Sequence, residues 1–138
     1  MGNGQWVMGN GQWTMDNGQW TMKRENVIKE KSFDFALRIV KLYKYLQEKK
    51  EFVLSKQLLR SGTAVGALVR EAEQAESKKD FIHKMAIALK EANETQYWLE
   101  LLFKSGYLKE SQFSSINADS IGMLKLLTSI IKTAKSNL

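Results

Sequence analysis

Phe81–Leu102 reads FIHKMAIALKEANETQYWLELL. Within it Phe81, Met85, Ala88, Ala92, Thr95, Leu99 and Leu102 alternate spacings of four and three, which stacks all seven into one stripe along a helix. Upstream, Ser77 is a capping hydroxyl with Asp80 in the third position, a variant of the capping box. Downstream, Gly106 supplies a left-handed stop. A helix of about 25 residues between these signals is roughly 37 Å long at 1.5 Å per residue.

The same spacing recurs on both sides of this stretch. Leu54, Leu58, Ser61, Val65, Leu68, Ala72 and Ala75 form a seam on a preceding helix. Gly62 and Gly66 lie beside that seam, each costing about 1 kcal/mol in helix propensity relative to alanine. The expected compensation is close approach of a neighbouring backbone, with a kink as the alternative. Earlier still, Phe35, Ile39, Leu42 and Leu46 make a stripe, widened by Val40 and Tyr43. Ser32 and Asp34 are the expected start of that helix, which runs to about Lys49. After Ser111, a fourth helix carries Phe113, Ile116, Ser120, Met123, Leu127, Ile130 and Ala134. Four seams joined by short connections predict an all-α fold, an antiparallel up-and-down four-helix bundle over residues 23–138.

Length and composition agree. A chain of 138 residues suits one core and is too short for two. Proline is absent, so no periodic segment is interrupted. Cysteine is absent as well, which excludes disulfides and thiolate metal sites and fits a cytoplasmic setting. No apolar run reaches membrane-spanning length. The first 22 residues lack the basic start and apolar block of a secretory signal.

Those residues are a tandem repeat, GNGQWVM, GNGQWTM and DNGQWTM, beginning at Gly2, Gly9 and Asp16. Asn-Gly favours tight turns, so hairpins presenting Trp6, Trp13 and Trp20 are one expectation, with the indoles as a stacking platform. The other is a poorly ordered low-complexity extension over residues 1–22, separate from the bundle. Methionine recurs at 1, 8, 15 and 22, so whether residues 1–21 belong to the native protein is open.

The charge of +6 is uneven. Residues 23–60 hold 11 Lys and Arg against 5 Asp and Glu, whereas residues 61–138 hold 10 against 9. Arg38, Lys41 and Lys44 recur at intervals of three, followed by Lys49, Lys50 and then Arg60. This set is the candidate nucleic-acid interface, able to track phosphates without reading bases. A solvated lysine face is the alternative.

Elsewhere the chemistry is sparse. Gly62 and Gly66 lack the lysine and hydroxyl of a phosphate loop. Asp80-Phe81-Ile82-His83 is the nearest approach to half of the Glu-x-x-His bundle metal motif, but there is only one histidine, so no metal or other cofactor is expected. Glu91 and Glu94 continue a row through Ile87, Trp98 and Leu101. Lys84, Lys90, Arg60 or Arg70 can pair with them or with Glu71. The expectation is a polar network or subunit contact built from Glu71, Lys84, Glu91, Glu94, Tyr97, Trp98 and Leu101. No nucleophile accompanies the carboxylates, which points away from an enzyme. Apolar residues beyond the seams, among them Ile121, Leu124 and Ile131, point to a homo-oligomer, with wider core stripes as the alternative.

Taken together, Ser32-Phe33-Asp34-Phe35-Ala36, Gln57 through Ala67, Glu71-Ala72, Asp80-Phe81, Lys84 through Ala92, Glu94-Thr95 and Tyr97-Trp98-Leu99 resemble the four-helix bundle family named after the 23S ribosomal RNA intervening sequence. The resemblance spans about residues 27–137 and omits the tryptophan repeat. It implies a ring-like homopentamer without enzymatic activity. Some members are encoded within sequences interrupting ribosomal RNA genes. Related accessory proteins of diversity-generating retroelements associate, as basic pentamers, with reverse transcriptase and nucleic acid. Leu68 stands where the family often has asparagine, so a polar role at that position does not carry over. The function expected is a non-catalytic oligomeric adaptor binding RNA or a ribonucleoprotein. The alternative is a structural homo-oligomer or protein-interaction module without nucleic-acid affinity.

Overall fold

The computed structural model describes residues 7–9, 12–14 and 19–137, with side chains from residue 26 onward. Four helices follow in order: α1 (Gln19–Glu48), α2 (Leu54–Glu73), α3 (Lys78–Lys104) and α4 (Glu110–Ser136). Each packs against two neighbours, and α4 returns to α1 to close the bundle. Partner numbers run in opposite directions along α1 and α2: Lys29 meets Glu73, Ile39 faces Gly62, and Gln47 meets Ser55. The fold is therefore the antiparallel up-and-down bundle that four seams and short turns require.

Ahead of it, β1 (Val7–Gly9) and β2 (Gln12–Thr14) pair antiparallel, Val7 opposite Thr14 and Gly9 opposite Gln12. Asn10 and Gly11 fall between them in sequence. The side chains of Trp6, Trp13 and Trp20, read as a stacking platform, lie outside the described residues, as does the order of residues 1–6.

The core is made of the seams. All seven positions read on α3 are buried, as are Phe35, Ile39, Leu42 and Leu46 on α1. On α4, Phe113 is only half-buried, stacked on Phe103 with ring centroids 4.5 Å apart. On α2 the stripe turns by one residue near its end. Val69 is buried, whereas Leu68 and Ala75 are half-buried. Ile131 joins the core, while Leu124 packs at its edge and Ile121 is exposed.

The expected start of α1 at Ser32 is wrong. The helix begins at Gln19, and Ser32 is a buried interior residue whose hydroxyl donates to the Lys29 carbonyl at 3.2 Å. Small size, not capping, explains it: a Cβ on Gly66 would lie 3.3 Å from the Ser32 carbonyl oxygen, so α1 and α2 approach backbone to backbone here. Gly62 is the other close approach, with Ile39 filling the space its side chain would occupy. Both glycines thus have the tight packing that offsets their poor helix propensity.

Helix ends at one pole of the bundle share a construction. α1 stops with Lys50 at φ 62°, its amide donating to Gln47 and that of Glu51 to Leu46. α3 stops with Gly106 at φ 90°, its amide donating to Phe103 and that of Tyr107 to Leu102. In each case the left-handed residue lets the next amide satisfy a carbonyl one turn back. At the other pole, Ser77 caps α3 as expected, accepting from the Asp80 amide at 3.0 Å. Asp80 returns the bond to Glu76, one residue earlier than a reciprocal box would have it.

Candidate nucleic-acid interface and polar network

The six basic residues read as one interface are divided by the bundle between two faces. Arg38 reaches across to α4, where its guanidinium binds Asp119 and the Ser115 hydroxyl, the latter at 2.8 Å. Arg60 lies on the opposite flank and binds Glu91 at 3.1 Å and Glu94 on α3. These two arginines tie helices together. Lys41, Lys44 and Lys50 are exposed and form no ion pair among the described residues. Lys49 also lacks one, and its ammonium sits 5.4 Å from the centre of the Tyr45 ring, a cation–π contact.

Two concavities adjoin these lysines. One, of about 360 Å³, lies between α1 and α4 and is lined by Arg38, Lys41, Leu42, Tyr45, Gln112 and Ile116. The other, of about 390 Å³, lies at the pole where α1 and α3 end, lined by Tyr45, Lys49, Gly106, Tyr107, Leu108 and Lys109. Tyr45 belongs to both. The sequence reading missed Tyr45, which lies among the α1 lysines but outside the apolar stripe, and also Tyr107 and Lys109, which reach this place only when the α3–α4 turn folds against the end of α1.

The expected polar network forms on the outer groove between α2 and α3. Of the four basic residues able to pair with Glu91 and Glu94, Arg60 takes both. Lys84 pairs with Glu71 at 3.1 Å. Arg70 instead lies 5.1 Å over the Phe33 ring, and Lys90 acts on Glu94 only through space. Trp98 Nε1 donates to Glu94 at 3.1 Å, and Tyr97 meets Trp98 edge to face at 5.0 Å. Tyr97 is 57% exposed, and with Leu101, Glu100 and Lys104 it lines a shallow depression. Beneath the ion pairs, Thr95 Oγ1 lies 2.9 Å from Ser61 Oγ and 2.8 Å from the Glu91 carbonyl, so both buried hydroxyls are satisfied.

The Trp98 indole N–H and then the Arg60 guanidinium hold the Glu94 carboxyl below its ordinary range, and the Glu94 hydrogen bond leads those that raise Arg60. A depressed folded value means that this contact contributes above the unfolded carboxylate range and is lost as pH falls through the folded value. The Trp98 indole N–H resonance is therefore expected to titrate with a midpoint below 4.5, moving upward in Arg60→Gln; a midpoint at or above 4.5 in the unaltered protein contradicts the pairing.

Among the described residues no cluster of three or more His, Cys, Asp or Glu is placed to hold a metal, and no helix is long and apolar enough to cross a membrane. His83 is an exposed residue of α3.

A closed antiparallel bundle whose interhelical ion pairs sit in outer grooves places this chain among the small four-helix bundle proteins. More narrowly, it belongs to the family described as 23S rRNA-intervening sequence protein, whose model matches residues 24–129. Among solved structures, it is similar to a protein of unknown function from the S23 ribosomal protein family of Bacteroides thetaiotaomicron. The identity is 63%, covering 79% of this chain and 98% of that one, with a TM-score of 0.78. No match is found among curated proteins.

Proposed function

We propose that this protein is a non-catalytic, homo-oligomeric adaptor that binds RNA or a ribonucleoprotein through the lysines of α1 and the adjoining pole. The observation carrying this reading is the contrast between arginines and lysines. Arg38 and Arg60 are engaged by carboxylates, whereas Lys41, Lys44, Lys49 and Lys50 have no carboxylate partner among the described residues. Unneutralised cations on one face attract a polyanion and release its counterions on binding. The family description, which refers to 23S rRNA, is consistent with an RNA partner.

Triple substitution K41E/K44E/K50E is expected to weaken binding of a fluorescein-labelled RNA by more than about thirtyfold at low salt, since each lost phosphate contact also removes released counterions. Equal affinity of this variant and the unaltered protein, or no binding of RNA by either, overturns the reading.

A structural oligomer without nucleic-acid affinity is the second reading, favoured by exposed Tyr97 beside Trp98 and Leu101. In both readings the α2–α3 flank, with Glu71, Lys84, Glu91 and Glu94, meets another copy, and a homopentamer is the assembly proposed. A monomer by sedimentation at micromolar concentration removes self-association from both.

A further inference from the structure

We infer that the two concavities meeting at Tyr45 form one groove for single-stranded nucleic acid, in which phosphates follow Lys41, Lys49 and Lys109 while an unpaired base stacks on Tyr107. The inference rests on the RNA-binding reading above and goes further in strandedness, in path and in the aromatic contact.

Continuity is the first observation. Tyr45 lines both the α1–α4 concavity and the polar one, so the two meet at a single side chain. From Arg38 to Lys49 the path runs along α1 to just past its end, about 16 Å at 1.5 Å per residue, the length of a short oligonucleotide segment. Charge is the second. Lys41 borders one concavity and Lys49 and Lys109 the other, and none of the three has a carboxylate within ion-pair distance among the described residues. Asp119, which faces Arg38 from α4, is taken by that arginine. Lys109 stays available although it occupies the cap position of α4, because only its backbone is engaged there: Gln112 Oε1 accepts from the Lys109 amide at 2.8 Å.

The third observation is aromatic. Tyr107 is 38% exposed at the rim, and the neighbouring Gly106 has open space where a side chain would stand, so nothing on that residue covers the ring's approach. Tyr45 already carries Lys49 at its ring, which leaves Tyr107 as the free stacking surface. Aromatic faces beside a cationic track bind unpaired bases without regard to sequence, whereas the bases of a duplex are stacked on one another and unavailable. An acidic peptide would satisfy the lysines but would leave the ring without a partner.

The test uses the full chain and a fluorescein-labelled oligouridylate of about twelve nucleotides, read by anisotropy across a salt series. K49Q/K109Q is expected to weaken binding about tenfold and to lower the log–log salt slope by about 1.4, at about 0.7 per phosphate contact on a single strand. Y107A is expected to weaken it about tenfold, with Y107F retaining affinity, since the ring stacks and the hydroxyl does not. The charge-matched control K132Q/K135Q, at the far end of α4, is expected to stay within twofold. Equal loss in K49Q/K109Q and K132Q/K135Q overturns the groove while leaving RNA binding intact. A duplex of the same length binding as tightly, or an equally charged glutamate peptide displacing the RNA as well as unlabelled RNA does, overturns the single-strand assignment. Absence of all RNA binding removes the broader reading, and the groove with it.

Discussion

Gly62→Ala is expected to destabilise the bundle by about 1–2 kcal/mol, although alanine is the better helix former by about 1 kcal/mol. The added Cβ would sit 2.8, 2.9 and 3.0 Å from the Cγ1, Cγ2 and Cδ1 atoms of Ile39. Ile39 is fully buried, and a β-branched side chain on a helix has one strongly preferred rotamer, so it cannot swing aside. Relief must come from separating α1 and α2 or forcing a strained rotamer, which in packed cores costs about 1–3 kcal/mol. The decisive experiment is a double-mutant cycle by urea unfolding. Ile39→Ala alone should cost about 2–5 kcal/mol through its cavity. In that background the space facing Gly62 is vacated, and Gly62→Ala should become stabilising by up to about 1 kcal/mol. A coupling of about 2–3 kcal/mol is expected; additivity within about 0.5 kcal/mol would show that the two positions do not share space.

This contact also marks how far periodicity reaches. Spacing by four and three locates seven of the eight buried positions of α3, because that stripe is unbroken and faces the interior throughout; the eighth, Ile82, flanks the stripe beside Phe81. The same spacing places Gly62 and Gly66 beside a seam, and their propensity cost points to close packing. It failed where small polar residues occupy core positions. Ser32 has the composition of a cap, yet Ile28, Ser32, Phe35 and Ile39 continue one buried stripe spaced four, three and four. Reading Ser32 as Ser61 and Ser120 were read, as a small seam residue, extends α1 upstream as far as Ile28. The Leu68 position failed differently. Four-three alternation admits either Leu68 or Val69 after Val65, and only the position of α1 and α3 around α2 selects Val69. The polar network was legible as a set of residues and not as pairs. Helical spacing puts Glu91 and Glu94 on one flank, but whether Arg60 or Arg70 reaches them depends on the register of α2 against α3. For the same reason the lysine stripe was visible in α1, while Tyr107 and Lys109 were not associated with it: they come from a turn about sixty residues away that the bundle brings to the same pole.

Glu51→Ala is expected to cost about 2–3 kcal/mol, a large effect for a residue in a turn. Its carboxylate is buried and accepts from three amides that begin α2: Val53 at 3.3 Å, Leu54 at 3.1 Å and Ser55 at 2.6 Å. Val53 occupies the cap position and has no side chain able to accept a hydrogen bond, so Glu51 does the work that serine or aspartate usually does one or two residues later. A negative group at this end of the helix is also favourable toward the partial positive charge of the unsatisfied amides. Around it, the Ser55 hydroxyl donates to the Glu51 carbonyl at 2.7 Å, and Gln47 donates to the Ser55 hydroxyl at 2.8 Å, so the turn is one closed hydrogen-bonded unit. Truncation to alanine strands three amides, one of them on a fully buried residue where water cannot replace the acceptor. Glu51→Gln keeps one acceptor oxygen in nearly the same shape and should lose less than half as much. Hydrogen exchange provides a local readout: in Glu51→Gln, protection should fall first at the Val53, Leu54 and Ser55 amides, with α3 unchanged. Uniform loss across all four helices would instead show that the turn contributes only through global stability.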